Sequence, residues 1–143
     1  LLTKPYLIMK KLLLILATLV FALTYLPSRV TAAPTVKVSP KSIEVNVGET
    51  CVFNVLVELS SGTIQEVVID VTGFPSGSVL EASIINQRDR KYEAQVDMKI
   101  DQPGTYTLTF KIDVTYKDGK TTVTKTVTET VVVKVIKKEV EVL

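Results

Sequence analysis

The sequence has no histidine and no tryptophan, and its only cysteine is Cys51. Without histidine there is no Ser-His-Asp or Cys-His arrangement, and the commonest metal ligand is missing. Cys51 is flanked by Thr50 and Val52, which give no cause for the depressed pKa of a reactive thiol. A lone thiol closes no internal disulfide, so the domain has to be held by its core alone. Cys51 is expected as a small buried apolar residue, with an intermolecular bridge as the alternative. The motif Asn-x-Ser/Thr is absent, which excludes N-glycosylation there. GFPSG (73–77) leads into a strand pattern, whereas a phosphate-binding loop opens a helix. The few aromatics fall mostly on predicted inward faces, leaving no flat platform for sugars. Asp97 and Asp101 could together contribute oxygens to a Ca²⁺ site; solvated strand-end carboxylates are the plainer reading. No catalytic, cofactor-binding or metal-binding residue is assigned, and no enzyme activity is expected.

Basic charge is also scarce once the N-terminus is set aside. Residues 9–33, MKKLLLILATLVFALTYLPSRVTAA, have the layout of a secretory signal peptide. Lys10 and Lys11 form the positive end, Leu12–Leu26 the apolar stretch, and Val30-Thr31-Ala32 the small residues a peptidase accepts. A lasting bilayer span needs about 20 apolar residues, and Thr18, Thr24 and Pro27 weaken this one. The expected organisation is a leader over 1–32, then one domain over 33–143. A cut after Ala33 would place Pro34 on the reacting amide. Retention as an N-terminal membrane anchor is the alternative. Leu1–Ile8 precede Met9 and are expected to lie outside the natural start.

The leader carries Lys4, Lys10, Lys11 and Arg29 and no acid, so 13 of the 17 basic residues remain against 15 acidic ones. The full sequence is +2; the domain is slightly acidic. Interspersed signs near neutrality offer no stripe for phosphates, so nucleic acid is not an expected partner. A membrane is a partner only if the leader is kept. The expected location is secreted, at the cell surface.

What the domain does have is Val, Ile and Thr in period 2, which is strand composition. All six glycines lie in it, each between apolar runs. The runs are TVKV (35–38), SIEVNV (42–47), TCVFNVLVEL (50–59), TIQEVVIDVT (63–72), SVLEASII (78–85), KYEAQVDMKI (91–100), TYTLTFKIDVTY (105–116) and the stretch after KDGK (117–120). Cys51, Phe53, Val55, Val57 and Leu59 share one face, as do Tyr92, Ala94, Val96, Met98 and Ile100. SVLEASII gives no clear facing, and NQRDR (86–90) reads as a polar corner. Asp-Gly in KDGK predicts a tight hairpin. Short strands with turn signals about every 10 residues indicate an antiparallel sandwich.

In DQPGTYTL (101–108), Asp101, Gly104 and Tyr106 resemble the Asp-x-Gly-x-Tyr corner before strand F of immunoglobulin-like domains, with one extra residue between Asp and Gly. The resemblance implies that the Tyr106 hydroxyl bonds back to upstream backbone and that these three residues are folding devices. Leu108 stands where an antibody domain has its second cysteine, and no tryptophan is available for strand C. The resemblance is therefore one of architecture. The wider text, VSPKSIEVNVGETCVFNVLVEL, VTGFPSG and QPGTYTLTFKIDVTYKDGK, looks like the secreted Ig-like repeats of prokaryotic surface proteins, including archaeal envelope proteins of the CARDB and NEW3 kind. It implies an all-β, immunoglobulin-like antiparallel β-sandwich of about seven to nine strands. It brings no functional residues with it.

The last 23 residues, TTVTKTVTETVVVKVIKKEVEVL, contain neither Gly nor Pro. Extended, they would reach about 75 Å, whereas strands usually end at about 10 residues. Val123, Val127, Val131, Val133 and Val135 can form the core face of a final strand. After Lys137-Lys138 the apolar phase shifts to Val140 and Val142, which flips the buried face. The extension 137–143 has three expected homes: an edge of its own sandwich beside TVKV, an open edge of another subunit, or no fixed place. Val140 and Val142 are candidate donor-strand residues, and Val36 and Val38 near the N-terminus are a second pair. Head-to-tail strand exchange gives an open filament without any chemistry. The expected function is a non-catalytic structural protein whose partner is itself, forming a pilus-like or matrix fibre. A monomeric or anchored binding module acting through GFPSG and NQRDR is the alternative.

Overall fold

The computed structural model describes residues 33–137; the leader and the donor candidates Val140 and Val142 lie outside them. The strands are β1 (Thr35–Ser39), β2 (Ser42–Asn46), β3 (Thr50–Glu58), β4 (Thr63–Thr72), β5 (Val79–Gln87), β6 (Lys91–Lys99), β7 (Gly104–Asp118) and β8 (Thr121–Ile136). One sheet has the order β1-β3-β6-β5 and the other β2-β8-β7-β4. This is the immunoglobulin-like sandwich, all-β among the described residues.

Pairing is antiparallel except between β2 and β8, where Ser42 lies opposite Val132 and Asn46 opposite Ile136 in parallel register. The exception has a simple cause. β1 pairs with the far half of β3, from Val38↔Val55 to Thr35↔Glu58. The chain then changes sheet at Pro40, whose bond to Ser39 is cis, and continues in the same direction beside β8. One polypeptide direction thus serves two sheets.

Where strands alternate cleanly, burial follows. β3 buries Cys51, Phe53, Val55 and Val57, and β6 buries Tyr92, Ala94, Val96 and Met98. β7 adds Leu108, Phe110, Ile112, Val114 and Tyr116, and β8 adds Val131, Val133 and Val135. Each Val, Leu, Ile, Phe or Met among them contributes about 1.5–3 kcal/mol by leaving water. Phe53 of one sheet meets Phe110 of the other edge-to-face, with ring centroids 5.4 Å apart at 63°, the geometry that ring quadrupoles favour. The Phe53–Phe110 pair marks the centre of the core.

Two places depart from the pattern in the residues. β5 runs through Asn86 and Gln87, so the polar corner is shorter than NQRDR suggests. It also carries a bulge, because Ile84 pairs with Ala94 and Asn86 with Glu93, leaving Ile85 between them. β4 bulges likewise between Ile64 and Glu66. Both bulged strands are sheet edges, where bulges commonly sit.

Backbone hydrogen bonds close both poles, and the one from Ile64 to Asp89 runs between the sheets. At one pole, the Val47 N–H donates to the Ile136 carbonyl (2.9 Å) and the Gly48 N–H to the Ile100 carbonyl (3.2 Å). At the other, the Leu59 and Ile64 N–H groups donate to the Arg90 and Asp89 carbonyls at 2.8 and 2.7 Å. The loops GFPSG and NQRDR therefore lie at opposite poles.

Candidate functional site

The described surface has one region where the fold leaves core-type side chains uncovered. β4 faces β6 across the core, so β5, beyond β6 at the edge of its sheet, has little opposite it. Leu80, Ala82 and Ile84 lie opposite Met98, Val96 and Ala94, which puts them on the core-facing side. Ala94 is 2% exposed, whereas its neighbour Ile84 is 59% exposed. Across the gap, Val67 and Ile69 of β4 are only half-buried. The result is a cleft of about 190 Å³ lined by Val67, Ile69, Ala82, Ile84, Tyr92 and Ala94. Small-molecule pockets usually run from about 300 Å³ upward with a few convergent polar groups. This cleft is smaller, has Ser83 among its mostly apolar lining, and lies between the edge strands β4 and β5. It suits a strand better than a small ligand.

Edge strands normally carry defences such as lysine, proline, short length or charge. β1 has five residues and Lys37; β2 has five and Glu44. The chain entering β2 adds an ion pair, Lys41 Nζ to Glu129 Oε2 at 2.6 Å. β4 carries Glu66 and Asp70. β5, nine residues long, has Glu81 as its single charge and no lysine or proline. Val79, Ile84 and Ile85 on it are all more than half exposed. Glu81 and the bulge at Ile85 are the defences it has.

Two of the three corner residues, Gly104 and Tyr106, come together. The Tyr106 hydroxyl donates to the Gln102 carbonyl at 2.8 Å, with the Pro103 carbonyl at 3.3 Å. Gly104 has φ +153°, and a Cβ there would lie 3.1 Å from the Tyr106 hydroxyl oxygen and 3.2 Å from Cζ. The glycine is thus the floor on which the ring lies. Asp101 is exposed in the same corner.

Val36 and Val38 lie in β1, paired with β3 and 8% and 1% exposed. They belong to the core of their own sandwich. Cys51 is free and buried. Burial in apolar surroundings pushes its thiol pKa up, and the Glu49 carboxylate adds to the rise. Burial likewise raises the Tyr92 phenol. Asp97 accepts a hydrogen bond from Gln95 Nε2 at 2.9 Å on the outer face. Among the described residues no group of three or more His, Cys, Asp or Glu side chains could hold a metal ion.

No family model matches this chain, and no curated protein matches it. Among solved structures, it is similar to the PapD-like domain 7 of human CEP192, with 11% identity over 73% of this chain and 87% of that one, at a TM-score of 0.51. A family 123 glycoside hydrolase from Clostridium perfringens is similar at 11% identity over 74% of this chain and 27% of its own, also at 0.51. Domains 4 and 5 of the S-layer protein SbsC are similar at 21% identity, 73% of this chain and 54% of that one, at 0.43. The chain spans about half of the S-layer fragment and about a quarter of the hydrolase. Such likenesses concern the sandwich fold alone.

The seam was not legible in the residues, because exposure of β5 depends on which strands end up at sheet edges. One local signal was present: SVLEASII is apolar but does not alternate, as a strand covered on neither face can afford to be.

Proposed function

We propose that this chain is a non-catalytic structural subunit of an extracellular surface assembly, exported behind a leader cut after Ala32 and joined to copies of itself by β-strand addition. The observation that carries the reading is the open seam between β4 and β5. There, edges with no strand partner among the described residues flank core-side apolar residues that the described strands leave uncovered. An added strand would satisfy the edge through main-chain hydrogen bonds and fill the slot with alternate side chains. The inventory of residues agrees, since it has no histidine to pair with a nucleophile.

The N-terminal candidate donor is costly to lend. Releasing β1 would uncover Val36 and Val38, each a loss of about 1.5 kcal/mol or more.

The test is the solution mass of the processed chain across a wide concentration range, by sedimentation velocity. Polymers that grow with concentration support the reading. A monomer at every concentration overturns it and favours the monomeric binding module. Intact-mass measurement of the exported protein tests the leader: a chain beginning at Ala33 supports removal, and one retaining Leu12–Leu26 replaces it with an anchor.

A further inference from the structure

Resting on that reading, we infer that the acceptor is the free edge of β5 and that its occupant is Glu139–Leu143 of a second copy, with Val140 and Val142 turned into the β4–β5 seam. The segment reads Glu-Val-Glu-Val-Leu, and its alternation matches what the slot requires. An incoming strand on β5 has one face over Leu80, Ala82 and Ile84 and the other toward water. Two valines suit the first, and two glutamates suit the second.

Charge separates β5 from its neighbour across the slot. On the outer face of β4, Glu66 and Asp70 lie opposite Thr115 and Lys111, so a donor strand there would set glutamates beside carboxylates. The edge of β5 carries only Glu81 and leads to Arg88-Asp89-Arg90, where the cations outnumber the acid. Opposite charges across a strand pair stabilise it and like charges do not.

Reach makes the donor come from another molecule. β8 leaves the sandwich at Ile136, at the pole where Gly104 pairs with Val135 and Val79 with Lys99. β8 lies opposite β1, so it and β5 are in different sheets, three strand positions apart laterally. With sheets about 10 Å apart and strands about 4.8 Å apart, the crossing is roughly 18 Å. The chain would also have to reverse direction to run back along β5. Seven residues span at most about 24 Å when fully extended, which leaves too few to pair along its own seam. Into a second copy, the segment continues outward with no reversal. Donor and acceptor are then different surfaces, so the contact is head-to-tail and propagates as a fibre.

Complementation between two broken halves tests this. V140K/V142K spoils the donor and leaves the acceptor intact; I84K spoils the acceptor and leaves the donor intact. Ile84 is mostly exposed in the free subunit, so I84K is expected to keep the wild-type thermal midpoint, which is measured alongside. Each variant alone is expected to stay monomeric where wild type polymerises, the midpoint concentration rising about tenfold or more. Mixed at equal concentration, they are expected to form one-to-one dimers and nothing larger, because only one productive contact remains.

If V140K/V142K polymerises like wild type while I84K does not, β5 pairs with β5 of another copy; the donor assignment falls and the assembly reading stands. If V140K/V142K lowers the thermal midpoint of a monomer, the segment caps its own sandwich and the inference falls. If wild type never associates, the assembly reading falls with it.

Discussion

The Tyr106 hydroxyl donates to the carbonyl of Gln102, four residues upstream, at 2.8 Å, and Gly104 between them leaves room for the ring. Tyr106→Phe is expected to lower stability by about 1 kcal/mol, the usual net worth of such a bond. Gly104→Ala is expected to cost more, about 1–3 kcal/mol, because the new methyl meets the ring and φ is unfavourable. Part of that cost is expected to vanish when Tyr106→Ala is present as well, since residues in contact do not act additively. Urea unfolding of the two single variants and the double variant measures the coupling; strictly additive losses would show that glycine and ring are independent.

The other end of the same strand predicts the opposite sign. Tyr116 is 0% exposed, and its hydroxyl has no hydrogen-bond partner among the described residues. A buried polar group without a partner costs about 1–3 kcal/mol, and an apolar group of the same shape removes that cost. Tyr116→Phe is expected to raise the thermal midpoint. A lowered midpoint would show that the hydroxyl is satisfied after all.

Gly73 closes β4 at φ +101°, and a Cβ there would fall on the Thr107 carbonyl oxygen of β7. Gly77, also at positive φ, has nothing within 4 Å of such a Cβ. Gly77→Ala is expected to cost about 1–2 kcal/mol, the strain of the left-handed backbone. Gly73→Ala is expected to cost clearly more and to weaken the β4–β7 ladder. Amide hydrogen exchange distinguishes them, with faster exchange in β4 for Gly73→Ala alone.

Burial raises the pKa of Cys51, with help from Glu49, and burial raises that of Tyr92. Both groups hold their protons more tightly folded than unfolded. Their contribution to stability is therefore constant below the ordinary thiol range and is lost as pH climbs through it, when the unfolded state releases protons first. The denaturation midpoint is expected to fall between about pH 8.5 and 10.5. Cys51→Ala is expected to flatten the lower part of that fall. In the native protein Cys51 is also expected to resist maleimide at pH 8 and to react only on unfolding.

The two outcomes of reading the residues differ for physical reasons. β3 and β6 are central strands with one face in the core, so their period-2 pattern shows the buried side directly. The tyrosine corner is local: its hydrogen bond spans four residues, so a short motif contains the whole device. The parallel pairing of β2 with β8 has no local signal, because SIEVN would read the same beside any partner. The β4–β5 seam was hidden for a related reason. Val67 and Ile69 face inward, but how much core lies in front of them depends on which strand stands opposite. Strand identity is written in short runs, whereas edges and their exposure arise only from the assembled sheet order.

The parallel β2–β8 ladder gives the domain a mechanical character. Thr35 sits at one pole, opposite Glu58, and Ile136 at the other, opposite Asn46. A pull applied between these ends drags β2 and β8 in opposite directions along their own axes. Their hydrogen bonds then lie across the force and share it, whereas a hairpin pulled open at its mouth loses its bonds in sequence. Rupture under such a load is governed by the unfolding barrier. A chain stretched end to end through this sandwich is held in shear, as a rope splice is, with the load shared along the whole five-residue β2–β8 ladder before any of it yields.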